Sequence, residues 1–340
     1  MTIKESVLET DPAHTDDYIL TQLLDDVDEA LLPTYRTVLS NQLSWIHETS
    51  TCNLPTSFIL SVAKVVLTHV LVMRSVVGIQ PLETSSGTIY HLQRHISSTP
   101  DTVRQLDISV ISHIVKTLVH KLPTQLNIHP SQTVVAELLP LVLSAIGAEI
   151  AQTIIVDMVT TLMSLSQTTR TTKENSNVYE TICHLSGDIA RNSRAGVGNV
   201  IVTTPVGAAI LTSGGAAQFT PHDTPPAIDL LLAPIQLVGH LRYDNHTNVP
   251  VYAISGWQCD GTDVPFLVAY KGTTNIDAGA IYSPHIPVVV DIDMDPTTFV
   301  PHISFSTMHH LWHGEMSGQY FATLLVNIDE MKGANDGTGD

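Results

Sequence analysis

The stretch 130–165 constrains the fold most. Val134, Val135, Leu138, Leu139, Val142 and Ile146, then Ala151, Ile154, Ile155, Met158, Leu162 and Leu165, recur every three or four residues, which places them along one side of an α-helix. Pro130 and Ser131 suit its first turn. Pro140 is expected to kink or split it. A rod this long cannot hide its apolar stripe alone. It needs other elements laid along it, so it reads as the spine of a domain. A bilayer span is the competing use. Glu137, Glu149 and Asp157 here, and Lys64, His69 and Arg74 in the second apolar run, 58–79, argue against it, because charge at the centre of a span is expensive.

The rest of the chain divides in two. Residues 1–16 read as disordered or extended. Asp16 and Asp17 then mark a helix start, where acidic side chains favour the dipole. Ile19, Leu20, Leu23, Leu24, Val27 and Leu31 follow at helical spacing, Pro33 breaks or restarts the helix, and Tyr35, Val38, Leu39, Gln42, Leu43 and Ile46 continue it. Another helix is expected over 57–76. Gly78, Pro81 and Gly87 punctuate 77–92 and predict a hairpin-like loop of β character. Residues 166–177 predict a polar loop. After it, strands are expected at 199–203, 251–254, 266–270, 287–291, 302–306 and 320–328, before a flexible tail at 331–340. Helices followed by strands make an α+β chain of about two domains.

Charge narrows the function. Lys and Arg number 15 against 33 Asp and Glu, a net charge of −18, and only 14% of the 340 residues are charged, compared with about 25% in ordinary globular proteins. Gripping nucleic acid needs clustered Lys and Arg, so it is not expected. At 43% hydrophobic, the chain must place much apolar surface in a large core, in subunit contacts, or in both. Cys52, Cys183 and Cys259 form no disulfide or zinc pattern and fit a reducing cytoplasm. The polar, acidic N-terminus does not read as a signal peptide.

No motif supplies catalysis. Gly196 and Gly198 after Arg194 form a G-x-G before a strand, whereas a dinucleotide site needs one after a strand, with a third glycine where Ile201 stands. That segment reads as a tight turn. His309, His310 and His313 would be weak zinc candidates on a helix, but they lack the glutamate of a zinc protease and sit in β-rich surroundings. They read as surface or interface histidines. Asp25-Asp26 and the run Asp291, Asp293 and Asp295 read as solvated acidic loops without calcium-loop context. No nucleophile elbow or phosphate loop occurs. The chain is expected to be no enzyme and to need no cofactor.

Four segments carry a resemblance. In 269–287, Tyr270, Lys271, Gly272, Asp277, Ala278, Gly279, Tyr282, Pro284 and Pro287 fall into the pattern G-Y-K-G-[ST]-x-x-x-D-A-G-x-x-Y-x-P-Y-[IV]-P, with Ala269 and His285 departing from it. Gly78, Gln80 and Pro81, with Gly87 and Tyr90 after them, are similar to V-G-V-Q-P-M…G-x-x-[FY]. Arg191, Arg194 and Asn199 precede a strand as in R-x-G-x-x-N. Asp295, Pro296, Phe299, Pro301, Ile303 and Phe305 resemble D-P-x-x-F-x-P-x-[IL]-x-F, although Met308 and His309 replace the usual continuation. Together, over roughly 77–310, the chain resembles the major head protein family of T-even-type tailed phages.

That resemblance implies a Hong Kong 97-type capsid fold. Its parts would be an N-terminal arm over 1–76, an extended β loop over 77–105, a peripheral domain over 106–185 and 285–330, and an axial domain over 186–284. It implies a subunit of a virion shell, assembled in the host cytoplasm as hexamers and pentamers around DNA that it does not read. Portal, vertex, scaffold and decoration proteins are the further partners. A minor vertex protein of the same fold is the alternative, and a histidine-metal hydrolase a distant one. Gly78 and Gly87 are expected to need φ > 0, and Lys271 and Asp277 to form an ion pair or capping contact. The 269–287 segment is expected to be the return path between the two domains.

Overall fold

The computed structural model describes residues 12–49, 55–97, 105–127, 139–172, 177–214, 218–222, 233–243, 247–257, 263–294 and 301–327. The expectations for 1–11, for the start of the long helix before residue 139, for Asp295 and for the tail concern residues outside these.

Three helices come first: α1 (Pro12–Leu24), α2 (Leu32–Thr49) and α3 (Thr56–Val70), the last continued by a 3-10 turn, Leu71–Ser75. The first starts earlier than Asp16, and Pro33 sits in the opening turn of the second, where its missing N–H costs nothing. A short strand β1 (Gly78–Ile79) leads to a long hairpin, β2 (Ser86–Ser97) and β3 (Gln105–Lys116), and then β4 (Leu118–Asn127). The hairpin strands therefore end at residue 116. The spine helix α4 (Leu139–Leu165) follows. Pro140 lies in the first described turn of this helix, and the segment before it, where a break was expected to show, falls outside the described residues.

Three expectations fail beyond this point. The polar stretch after residue 166 contains a strand, β5 (Thr168–Thr172), and two unforeseen helices follow, α5 (Val178–Ser193) and α6 (Pro205–Gly214), flanking β6 (Val200–Thr203). Helix α5 is capped by Asn177, whose side chain accepts from the Glu180 N–H. It ends on Arg194 with φ 54°, a left-handed stop. The remaining strands are β7 (Phe219–Pro221), β8 (Ile235–Arg242), β9 (Asn248–Ile254), β10 (Asp263–Ala269), β11 (Ala280–Met294), β12 (Pro301–His313) and β13 (Phe321–Asn327).

The strands form a four-stranded sheet, β1-β11-β12-β4, a seven-stranded sheet, β5-β13-β10-β6-β9-β8-β7, and the separate hairpin. β5 and β13, from outside 186–284, complete the sheet formed by the strands of that stretch. The seven-stranded sheet is covered on both faces. Val200, Val202 and Leu267 join a core with Val62, Val66 and Leu67 of α3 and with Ile150, Ile154 and Ile155 of α4. Ile201, Phe266 and Val268 face Ile182, Leu185 and Ile189 of α5. Covering on both sides explains why β10 reads as a continuous apolar run and does not alternate. Both long apolar helices, Thr56–Ser75 and Val142–Leu165, meet the length and composition of a membrane span, yet half of each window is buried inside the protein, and they share one core.

Candidate functional site

The turn between the two large sheets organises the surface that matters. β10 ends at Ala269, and β11 begins at Ala280. Between them Lys271 bridges Ala278, and the Gly272 N–H donates to the Asp277 carbonyl at 2.8 Å. A Cβ on Gly272 would strike the Asp277 carboxylate, and one on Gly279 would reach the Phe321 ring at 2.8 Å. Asn199 clasps the turn: its Nδ2 donates to the Lys271 carbonyl at 2.7 Å, and its Oδ1 accepts from the Lys271 N–H at 3.0 Å.

The expected Lys271–Asp277 pair is absent. Lys271 Nζ donates to the carbonyls of Gly272 and Thr274, and burial lowers its pKa. Asp277 instead receives both nitrogens of Arg94 from the hairpin, at 2.7 and 2.6 Å, with both side chains 13% exposed. This forked geometry fits guanidinium to carboxylate. Arg94 was not singled out from sequence, since nothing local links it to a residue 183 positions away.

The segment 78–82 lies parallel to β11 and carries a second clasp. Gln80 Nε2 donates to the Tyr90 carbonyl at 2.7 Å, while its Oε1 accepts from the Tyr90 N–H at 2.8 Å. The Leu92 N–H donates to the Ile276 carbonyl at 2.8 Å. Gln80 and Ile276 thus occupy the edge of β2 that would otherwise be open to chance pairing. Pro81 follows, and Leu82 donates to the Pro284 carbonyl at 3.1 Å. Neither Gly78 nor Gly87 has positive φ, so that expectation is corrected. Glycine is needed at 78 because a Cβ would run into the Asn275 carbonyl; at 87 a Cβ would meet only the end of the Leu82 side chain, at 2.8 Å.

A third clasp sits at the bulge where β11 shifts register between Pro284 and Val289. Gln42 of α2, fully buried, donates to the Val288 carbonyl at 2.8 Å and accepts from its N–H at 3.0 Å. These two backbone groups lose their ladder partner at the bulge, and the buried amide replaces it. Beside it, Asn41 donates to the Leu82 carbonyl at 2.7 Å and meets His285 Nδ1 at 3.0 Å.

Held this way, the hairpin has two unlike faces. Paired residues of an antiparallel ladder share a face. Ile89, His91, His113 and Val115 face the sheet, where Ile89 and Val115 pack with Leu82, Ile281 and Trp312. The opposite face carries Tyr90 (50% exposed), Ile108 (57%), Val110 (56%) and Ile114 (82%). Leu118 and Val119 extend the exposed apolar surface into β4.

The remaining candidates are structural or superficial. Tyr282 is buried, which raises its pKa, and its ring lies 5.3 Å from that of His309. Arg191 is exposed and bonds Asp188 at 2.8 Å. The three C-terminal histidines lie on strand β12, where His309 and His313 are about 13 Å apart by strand rise. His309 is buried and stacks on His120 of β4 at 4.1 Å, which pushes its pKa down to about 3. His313 is exposed. His120, His309 and His310 border a cleft of about 360 Å³ against α4 that also includes Asp157. Among the described residues no group of three His, Cys, Asp or Glu is arranged to hold a metal.

What this arrangement offers is contact: a braced hairpin presenting an apolar face, as in proteins that work by packing against others. Residues 131–323, more than half of the chain, match the family described as Major capsid protein Gp23, and the chain belongs to that family. The mixed helices and sheets described above are the α+β class expected from the sequence. The major capsid protein of Salmonella phage ViI is 27% identical over 124 residues, 36% of this chain and 26% of that one, so the match spans about a quarter of the relative's length. Solved structures with similar element arrangements include a chain from Mycobacterium phage Che8 (15% identity, 72% of this chain and 85% of that one, TM-score 0.41) and the capsid of Myoviridae phage XM1 (13%, 76% and 91%, 0.42). The family assignment does not rest on them.

Proposed function

We propose that this chain is the shell-building subunit of a tailed-phage head, and that many copies associate as hexamers and pentamers around double-stranded DNA. The family match carries the reading. The outward row Tyr90, Ile108, Val110 and Ile114 supports it, because an apolar strip this exposed on a fixed hairpin is the surface a neighbouring copy would cover. The net charge of −18 suits a container that must release packed DNA without gripping it. The arm at 1–76, the hairpin as the extended loop, the peripheral domain and the axial domain at 186–284 are the parts through which neighbours would meet. Portal, scaffold, vertex and decoration proteins are its proposed partners, and the virion shell its place.

The test is substitution on the outer face. Ile108→Asp with Ile114→Asp should leave the circular dichroism spectrum and melting temperature of the subunit unchanged. It should abolish the fast-sedimenting assemblies formed by the unmodified chain. Assembly unaffected by the double change would remove the hairpin from the interface.

A further inference from the structure

The histidines gather in one place. The chain has 17 histidines against 15 Lys and Arg, and several of them lie between the hairpin, the four-stranded sheet and the spine helix. On the hairpin side, the Trp312 ring of β12 takes His113 at 4.4 Å and His91 at 4.8 Å. On the helix side of the same strand, His309 stacks on His120. His91 is 8% exposed, and His113 Nε2 is shut from solvent without a hydrogen-bond partner among the described residues.

We propose that the hairpin is latched to the sheet by His91 and His113 packed on Trp312, and that acid releases it by protonating His91 while the subunit stays folded. Uncharged imidazoles pack on an indole as flat, weakly polar rings. Once protonated, His91 becomes a cation enclosed beside a cluster of Ile89, Val115, Leu82 and Ile281. The charges that reach His91 are Asp277 from the turn, which favours its protonation, and Arg94 on its own strand and His113 across the hairpin, which oppose it. Burial, the largest effect, acts with His113 and Arg94 against Asp277 and brings its pKa from 6.5 to about 4.

The direction follows from that depression. Docking is at full strength above about pH 6.5 and weakens as the pH falls toward 4, because the released hairpin binds protons that the docked one refuses. His91 alone lowers the docked-to-released ratio by up to about tenfold per pH unit in that window. The Arg94–Asp277 pair and the Gln80 clasp also hold the hairpin, so they set how much of this loss is needed for release. The second histidine pair lies inside the core between β4, β12 and α4. His309, with its pKa near 3, stays uncharged throughout.

Hydrogen–deuterium exchange on the unassembled full-length chain tests this independently of whether shells form. Between pH 7.5 and 4.5, after correction for intrinsic exchange, peptides in 86–94 and 108–116 should lose protection by about 10- to 100-fold for the His91 shift. Peptides from α3, α4 and β10 should keep theirs. His91→Leu with His113→Leu should hold the hairpin protected down to pH 4.5. The proposal is overturned if the unmodified hairpin stays protected at pH 4.5, if all segments open together, or if the double variant opens at the same pH as the parent. If that variant does not fold, the unmodified chain alone decides through the first two outcomes.

Discussion

At the scale of single residues, three amides do the joining. Gln42, Gln80 and Asn199 each give a carbonyl and an N–H to the backbone of another segment, replacing a ladder neighbour where pairing stops. Gln42→Leu keeps the volume but strands both groups of Val288. At roughly 1–3 kcal/mol for each unsatisfied buried group, it should lower stability by about 2–5 kcal/mol in denaturant titration. Gly78 and Gly87 offer a sharper contrast. Gly78→Ala should destabilise the isolated subunit, since a carbonyl cannot swing aside, whereas Gly87→Ala should be nearly silent because Leu82 can turn; equal melting temperatures for the two variants would contradict this. Gln80 and Asn199 stood out in the sequence only as members of a motif. Their roles were not legible, because their partners Tyr90 and Lys271 are met only after folding. The same holds for Asp277, assigned to nearby Lys271 when the folded chain gives it Arg94.

At the scale of elements, the hairpin shows what patterning could and could not reveal. Ile108, Val110 and Ile114 alternate with more polar residues, which is strand periodicity, yet they line the outside. Strands 105–116 and 118–127 went unread because the alternation has its apolar side outward and lacks the turn signals of a buried strand. The helices α5 and α6 were hidden differently. Ile182, Leu185 and Ile189 do recur at helical spacing, but they sit in a stretch whose long polar prelude and later strands suggested β structure throughout. The spine helix was readable because its stripe is long. Arg94 is the pin between hairpin and turn. Arg94→Met leaves the Asp277 carboxylate half-buried and alone, a loss of about 3–5 kcal/mol for a broken buried pair. It should raise amide exchange in 86–94 selectively; uniform exchange across the molecule would contradict a local pin.

At the scale of the whole molecule, a seven-stranded sheet covered on both faces packs on a spine helix, and a hairpin is braced by the turn between the two large sheets. The motifs around 78–90, 191–202, 269–287 and 295–305 named the family correctly although they contain no chemistry. In the first three, Gly78, Gln80 and Asn199 sit where one backbone segment is held against another, and such places restrict residue type. The charge-poor composition pointed the same way, toward surface that other copies cover. The most direct test of the central claim is electron microscopy of the expressed full-length chain at neutral pH and high concentration. Shells, tubes or ring-shaped capsomers are the predicted result, and a strictly monomeric protein would contradict it.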